Sequence, residues 1–150
     1  MKSIFYTILF AMIVFLFSCG TGSGKKGQDS QGLIVEFADR PADNRIDIMA
    51  DGKLFTSFCW YDSVYKPILY PVYTSAGTEI TRGYPLKPRA GESTDHRHQV
   101  GIWLNYGNVN GLDFWGNGSE GKWGIRSGEI KHLNIEKMTG GDKEGLMVTN

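Results

Sequence analysis

The sequence predicts an all-β domain, built as an antiparallel β-sandwich. Glycine supplies 20 of the 150 residues and aromatic residues make up 13%, a composition typical of sheets and turns. Short apolar or alternating segments recur between turn-forming residues at intervals of roughly 8–15 residues, a pattern that favours a sandwich. After the N-terminus, no segment carries a 3.6-residue apolar stripe long enough for an amphipathic helix.

Residues 1–19 are predicted to be a lipoprotein signal peptide. Lys2 supplies a positive start, and Ile4–Phe17 is an apolar run that is short for a spanning helix. The next residues, "LFSCG", resemble a bacterial lipobox, in which Cys19 is acylated and becomes the new N-terminus. Burial of the acyl chain contributes about 0.8 kcal/mol per CH₂. The predicted location is the bacterial cell envelope, at the outer membrane or facing the periplasm. An uncleaved anchor helix and an ordinary signal peptide are the alternatives.

Residues 20–32 form a predicted flexible tether, because this glycine-rich stretch has no apolar side chain. Residues 33–150 are predicted to be the N-terminal part of a sandwich domain. A strand that opens at Leu146 stops with the sequence at Asn150, so we expect a truncated sheet with an open edge. With Cys19 lipidated, Cys59 is left alone, and we expect it to be a small core residue and not a nucleophile.

The individual strands are predicted from local patterns. Leu33–Ala38 is β-branched and aromatic, and Arg45–Ala50 alternates apolar and polar residues. Asp51-Gly52 favours a tight hairpin turn into a returning strand, Lys53–Tyr61. Two prolines make Lys66–Thr74 an edge or irregular strand. Later strands are expected at Thr78–Gly83, His98–Gly107, Gly128–Met138 and from Leu146 onward, with Gly140–Gly145 as a hairpin turn.

The segment Asp95-His96-Arg97-His98 is the candidate site. On a strand, His96 and His98 would share one face, and a kink at Asp95 would bring its carboxylate beside them. Such groups can read sugar hydroxyls, act as acid and base near neutral pH, or bind a divalent metal. Alternatively, the histidines cap or cross-link a loop and do no chemistry. The remaining histidine, His132, is expected to be structural or exposed.

Aromatic and polar neighbours favour a carbohydrate site, since rings stack on sugar C–H faces while polar groups read the hydroxyls. The aromatic residues, each of which could instead belong to the core, are Trp103, Tyr106, Phe114, Trp115 and Trp123. The predicted catalytic residues are His96, His98 and Asp95. The predicted substrate-binding residues are Arg82, Trp103, Asn110, Asp113 and Trp115. Arg82 could instead pair with a carboxylate, and Asn110 and Asp113 could serve only a turn.

Charge and motifs exclude several function classes. The 16 basic residues balance the 16 acidic ones and form no long run, which argues against a nucleic-acid partner. Serine-nucleophile motifs, zinc-finger spacing and dinucleotide fingerprints do not occur in the sequence. The expected partner is a carbohydrate or another polar small molecule. No cofactor is predicted, although a divalent metal stays an open alternative.

Two longer segments carry a resemblance to a known family. "KPILYPVYTSAGTEITRGYP" and "ESTDHRHQVGIWLNYGNVNGLDFWG" resemble the bacterial family labelled DUF6807, also called the PmoA family or methane oxygenase PmoA. The resemblance implies an exported protein, often a lipoprotein of Bacteroidota or Planctomycetota, encoded near carbohydrate-handling enzymes. It also implies longer members, of which this chain would be an N-terminal half. The family commonly reads Asp-His-Pro-His-His-Arg-Gly, whereas Arg97 and Gln99 stand here in place of the proline and the last histidine.

Methane oxidation is not expected of this chain. The authentic PmoA subunit spans the membrane with several helices, and no apolar run of about 18 residues follows the signal segment. The sequence therefore predicts an envelope lipoprotein that binds or processes a carbohydrate. A non-catalytic structural or surface lipoprotein is one alternative, and a metal-dependent oxidoreductase or lyase is another.

Overall fold

The computed structural model describes residues 32–118 and 125–150. The predicted signal peptide with Cys19, residues 20–31 of the predicted tether and the aromatic residue Trp123 lie outside the described residues. Within the described ranges, no helix is long and apolar enough to cross a membrane.

Short strands dominate the described chain, and its main sheet is antiparallel. The strands of the described residues are β1 (Ile34–Arg40), β2 (Arg45–Ala50), β3 (Lys53–Cys59), β4 (Ile68–Val72), β5 (Leu112–Asp113), β6 (Arg126–Ser127), β7 (Ile135–Thr139), β8 (Gly141–Asp142) and β9 (Leu146–Thr149). The main sheet has the order β4-β3-β2-β1-β8. β7 and β9 form a separate antiparallel pair, and the short β5 and β6 pair in parallel. The all-β prediction is confirmed.

The hairpin between β2 and β3 forms where the sequence predicts it. Asp51 and Gly52 both have positive φ, 50° and 70°, which is the combination that a type I′ hairpin turn requires. Glycine adopts this conformation without steric cost, and aspartate tolerates it better than most residues. The Asp51 carboxylate also accepts a hydrogen bond from the Ile34 backbone N–H at 2.9 Å. The turn is therefore tied to β1 as well.

A buried carboxylate joins the three central strands. Asp47 on β2 is 8% exposed. It accepts hydrogen bonds from Ser57 Oγ on β3 at 2.6 Å, from Arg45 Nε at 2.9 Å and from Arg40 Nε on β1 at 3.2 Å. Burial alone would raise the pKa of Asp47, but these hydrogen bonds outweigh it and hold the pKa below its ordinary value.

The core lies between β3, β4 and the chain near Val100. Its buried members are Cys59, Val64, Ile68, Tyr70 and Val100, and Tyr61, Leu86 and Trp103 pack against them. Cys59 is fully buried, and its Sγ lies 3.2 Å from both the Tyr61 hydroxyl and the Tyr70 carbonyl oxygen. Burial raises the pKa of the thiol, which disfavours the nucleophilic thiolate. The prediction of Cys59 as a core residue is confirmed.

β4 is an edge strand, as the two prolines of Lys66–Thr74 predict. The predicted strand His98–Gly107 is wrong, because only Ile102 pairs, in an isolated bridge with Leu69 of β4. Gly101 has a φ of 60°, and a Cβ there would lie 2.5 Å from the Leu69 carbonyl oxygen. The backbone therefore bends sharply against β4, a close approach that only glycine permits.

Two other predicted elements also differ. Of Thr78–Gly83, only Glu79 forms a bridge, and the predicted strand Gly128–Met138 becomes regular only in β7. The predicted hairpin turn Gly140–Gly145 does connect the antiparallel strands β7 and β9, and it also contains β8, which pairs with Ile34 and Val35 of β1. A Cβ at Gly140 would lie 2.4 Å from the Val35 carbonyl oxygen, so glycine lets the turn meet the main sheet.

Candidate functional site

The histidine segment lies in a loop. His96 has a φ of 48°, so the two-residue alternation of a strand does not set the direction of its side chain. His96 Nδ1 lies 2.7 Å from one carboxylate oxygen of Asp95, and the other oxygen accepts a hydrogen bond from Ser93 Oγ at 2.6 Å. The hydrogen bonds from Ser93 and then His96 lower the pKa of Asp95. The exposed Asp95–His96 pair is thus a carboxylate that orients an imidazole.

Arg82 holds this loop in place. Its guanidinium donates to the backbone carbonyl of Ser93 and, at 3.1 Å, to that of Asp95. It also lies 3.7 Å from the Asp95 carboxylate and 5.4 Å from the centroid of the Tyr84 ring. The geometry of Arg82 therefore matches the alternative in which this residue pairs with a carboxylate. Any contribution of Arg82 to a ligand would come through the loop that it positions.

Four predicted site residues form a continuous series of rings, which we call the aromatic row: His96, His98, Trp115 and Trp103. The ring centroids of His96 and His98 lie 5.6 Å apart, and those of His98 and Trp115 lie 5.9 Å apart. Trp115 meets Trp103 edge to face at 4.9 Å and 90°. Trp115 is 45% exposed, whereas Trp103 packs against the core. The row therefore runs from an exposed histidine to the protein interior.

Lys66 contacts both tryptophans of the aromatic row, and no sequence motif predicted a role for it. It is only 1% exposed, and its Nζ lies 3.8 Å from the centroid of the Trp103 ring. The same Nζ donates a hydrogen bond to the Trp115 carbonyl oxygen at 3.0 Å. Burial lowers the pKa of Lys66 to about 8, an effect that the Asp113 carboxylate only partly opposes. The one sequence signal is a lysine at the start of an apolar strand, in the "KPILYP" segment.

Asp113 and Asn110 shape the chain before Trp115. The Asp113 carboxylate accepts a hydrogen bond from the Trp115 backbone N–H at 2.8 Å, so it fixes the tryptophan through the backbone. Asn110 has a φ of 52° in an exposed turn closed by backbone hydrogen bonds between Val109 and Leu112. The positive φ of this turn explains why an asparagine occupies position 110. Asn110 therefore has the alternative role predicted for it, that of a turn residue.

Two asparagines anchor the same segment through hydrogen bonds. Asn105 Nδ2 donates to the Phe114 carbonyl oxygen at 2.6 Å, and Asn117 Oδ1 accepts from the Tyr65 backbone N–H at 2.8 Å. The remaining amide atoms, Asn105 Oδ1 and Asn117 Nδ2, are buried and have no hydrogen-bond partner among the described residues. Neither asparagine was predicted as a site residue, since an isolated asparagine carries no signal beyond its preference for turns.

The described residues contain no group of three or more His, Cys, Asp or Glu side chains arranged to hold a metal ion.

A family model described as a family of unknown function, DUF6807, matches residues 45–150. The chain belongs to this family. The resemblance seen in the sequence is therefore confirmed, and the DUF6807 match contains the aromatic row and Lys66. No curated protein and no solved structure matches the chain at a significant level.

Proposed function

We propose that this DUF6807 protein is a lipid-anchored protein of the bacterial envelope that binds a carbohydrate at the aromatic row. The observation that carries the proposal is the half-exposed Trp115 ring, held edge to face on Trp103 and flanked by His98. An exposed indole of fixed orientation offers an apolar face for the C–H surface of a sugar ring, and the neighbouring polar groups can read its hydroxyls.

His96 is the polar group best placed to read a hydroxyl. Because Asp95 engages Nδ1, Nε2 is the ring nitrogen left to accept a hydrogen bond from a ligand. The same arrangement, an imidazole oriented by a carboxylate, suits a group that takes up a proton. If the protein processes the sugar as well as binding it, His96 is the residue that we expect to move the proton.

The test is a titration of the full chain in detergent with neutral and acidic oligosaccharides, read by tryptophan fluorescence and thermal shift. Trp115→Ala should weaken binding at least about tenfold, because loss of about 1.4 kcal/mol of stacking corresponds to that factor. The matched control is Leu104→Ala, another large exposed apolar side chain (91% exposed) outside the row. Equal affinity of the Trp115→Ala variant and the wild type would contradict the proposal.

A second candidate function is a structural lipoprotein without a ligand. The contacts of Arg82 with the backbone of Ser93 and Asp95 favour it, because they stabilise the loop whether or not a ligand binds. No response to any saccharide, together with a marked loss of thermal stability in Arg82→Ala, would support this second function. The lipid anchor is tested separately by the mass of the mature N-terminal peptide. Acylation of Cys19 should add the mass of the lipid in the wild type, and the Cys19→Ala variant should lack that added mass.

A further inference from the structure

A cleft of about 170 Å³ lies apart from the histidine loop. One wall is formed by residues that follow β3 in the chain, and the other by residues that precede β7. The lining residues that matter here are Trp60, Asp62, Lys66, Glu129, Lys131 and His132. A backbone hydrogen bond of 2.9 Å from the Ile130 N–H to the Tyr65 carbonyl oxygen fixes the two walls against each other. The cleft is therefore part of the folded framework.

Aromatic packing orders the back of the cleft. The His132 ring lies 4.5 Å from Trp60 and 5.4 Å from Phe58, measured between ring centroids. His132 is half-buried, in line with a structural role, but its Nδ1 is buried without a hydrogen-bond partner among the described residues. Buried polar atoms of this kind are normally satisfied by water or by a ligand. Trp60 thus presents an indole held by neighbouring rings, beside a polar atom that still needs a partner.

The charges of the lining are balanced. Asp62 and Glu129 contribute carboxylates, and Lys131 contributes an ammonium group. The ammonium group of Lys66, another lining residue, is engaged by the two tryptophans of the aromatic row and balances the formal charge. Lys131 Nζ lies 3.3 Å from Glu129 Oε2, whereas Asp62 forms no salt bridge with any described residue. Carboxylates accept hydrogen bonds and ammonium groups donate them, so the lining complements a neutral ligand that carries many hydroxyl groups. A ligand with a net charge would meet a side chain of the same charge in the lining.

The size of the cleft restricts the ligand further. At about 30 Å³ for each water molecule in the liquid, the volume corresponds to about six waters, which is the scale of one small ring. We propose that this cleft is a second binding site, which holds a single neutral sugar ring against Trp60 and exchanges hydrogen bonds with Asp62 and the Glu129–Lys131 pair. The argument uses none of the rings of the aromatic row; Lys66 is the one residue that touches both places.

The test labels the full chain with 5-fluorotryptophan and follows each of the four tryptophans by ¹⁹F NMR. Single Trp→Phe variants assign the resonances. The probes are the methyl glycosides of glucose, galactose and mannose, with glucosamine and glucuronic acid as charged comparisons. A neutral glycoside should shift the Trp60 resonance saturably. Asp62→Asn should weaken that response about tenfold, while Asp39→Asn, an exposed aspartate on β1, should leave it unchanged.

The outcomes separate the two sites. A Trp60 response that survives in Trp115→Ala supports the cleft even if the aromatic row binds nothing. Shifts of Trp103 and Trp115 without any shift of Trp60 would overturn the cleft and leave the proposed function intact. A Trp60 response to the charged sugars alone would overturn the assignment of a neutral ligand, and an equal response in Asp62→Asn and Asp39→Asn would overturn the assignment of Asp62.

Discussion

Replacing Lys66 by methionine tests whether the buried ammonium group is desolvated. The pKa of Lys66 is lowered from 10.5 to about 8, and each tenfold change in proton affinity corresponds to about 1.4 kcal/mol between the two protonation states. The charged form of Lys66 therefore costs the folded protein about 3 kcal/mol relative to the unfolded chain. Methionine fills a similar volume and cannot carry the charge.

The sign of the pH dependence follows from proton uptake. Below about pH 8, Lys66 is protonated in both states, so the cost of burying the charge is fully present. Between about 8 and 10.5, the unfolded chain keeps a proton that the folded protein has lost, and stability rises with pH. We therefore expect the difference in unfolding free energy, wild type minus Lys66→Met, to rise by about 3 kcal/mol across this window.

The assay is urea unfolding of both proteins at several pH values, from about 7 to about 11, so that the series spans the ordinary pKa of lysine. The subtraction cancels the other titrating groups. A single pH would not decide the matter, because the lost cation–π contact and charged hydrogen bond, together about 2–5 kcal/mol, are comparable with the relieved cost of burial. Lys131→Met, at an exposed lysine, is the matched control. A flat or falling difference for Lys66→Met would refute the reasoning.

Three further tests probe the framework. Asp47→Asn should destabilise the fold by about 1–3 kcal/mol in urea unfolding at neutral pH. This loss should be fully present above the ordinary aspartate pKa of 3.8 and shrink as the pH falls through the lowered pKa; a pH-independent loss would contradict it. Gly101→Ala should cost about 1–3 kcal/mol in thermal unfolding because of its positive φ and its contact with Leu69, whereas Gly107→Ala has open space and should be near neutral. Cys59 should react with a thiol reagent only on unfolding, and rapid labelling of the native protein would show that the core opens.

The parts of the fold that depend on neighbouring residues could be predicted from the sequence. The alternation in Arg45–Ala50 gives the bounds of β2, and Asp51-Gly52 has the backbone angles of the expected hairpin turn. The prolines of Lys66–Thr74 place β4 at a sheet edge, because proline cannot donate to a second neighbouring strand. In each case the physical cause lies within a few residues of its effect.

The parts that depend on distant contacts could not be predicted in the same way. The bend at Gly101 follows from the approach of Leu69, so the apolar pattern of His98–Gly107 indicates a strand that does not form. The rings of His98 and Trp115 meet only because the loop before Gly101 folds back towards the chain after Asp113. Of the residues predicted to gather there, His96, His98, Trp103 and Trp115 do so, although the predicted strand that was to align the histidines is absent.

Lys66 and the two asparagines bear on the choice between a ligand site and a purely structural one. A methionine at position 66 would fill the space without the cost of desolvating an ammonium group, and apolar residues would avoid the unpartnered amide atoms of Asn105 and Asn117. All three side chains hold the backbone that carries Trp115. Departures from the most stable packing are expected to concentrate where a protein needs a fixed polar geometry, and a loop that served stability alone would have no use for them. All three act on the backbone around one exposed indole, which favours a binding site over a structural loop.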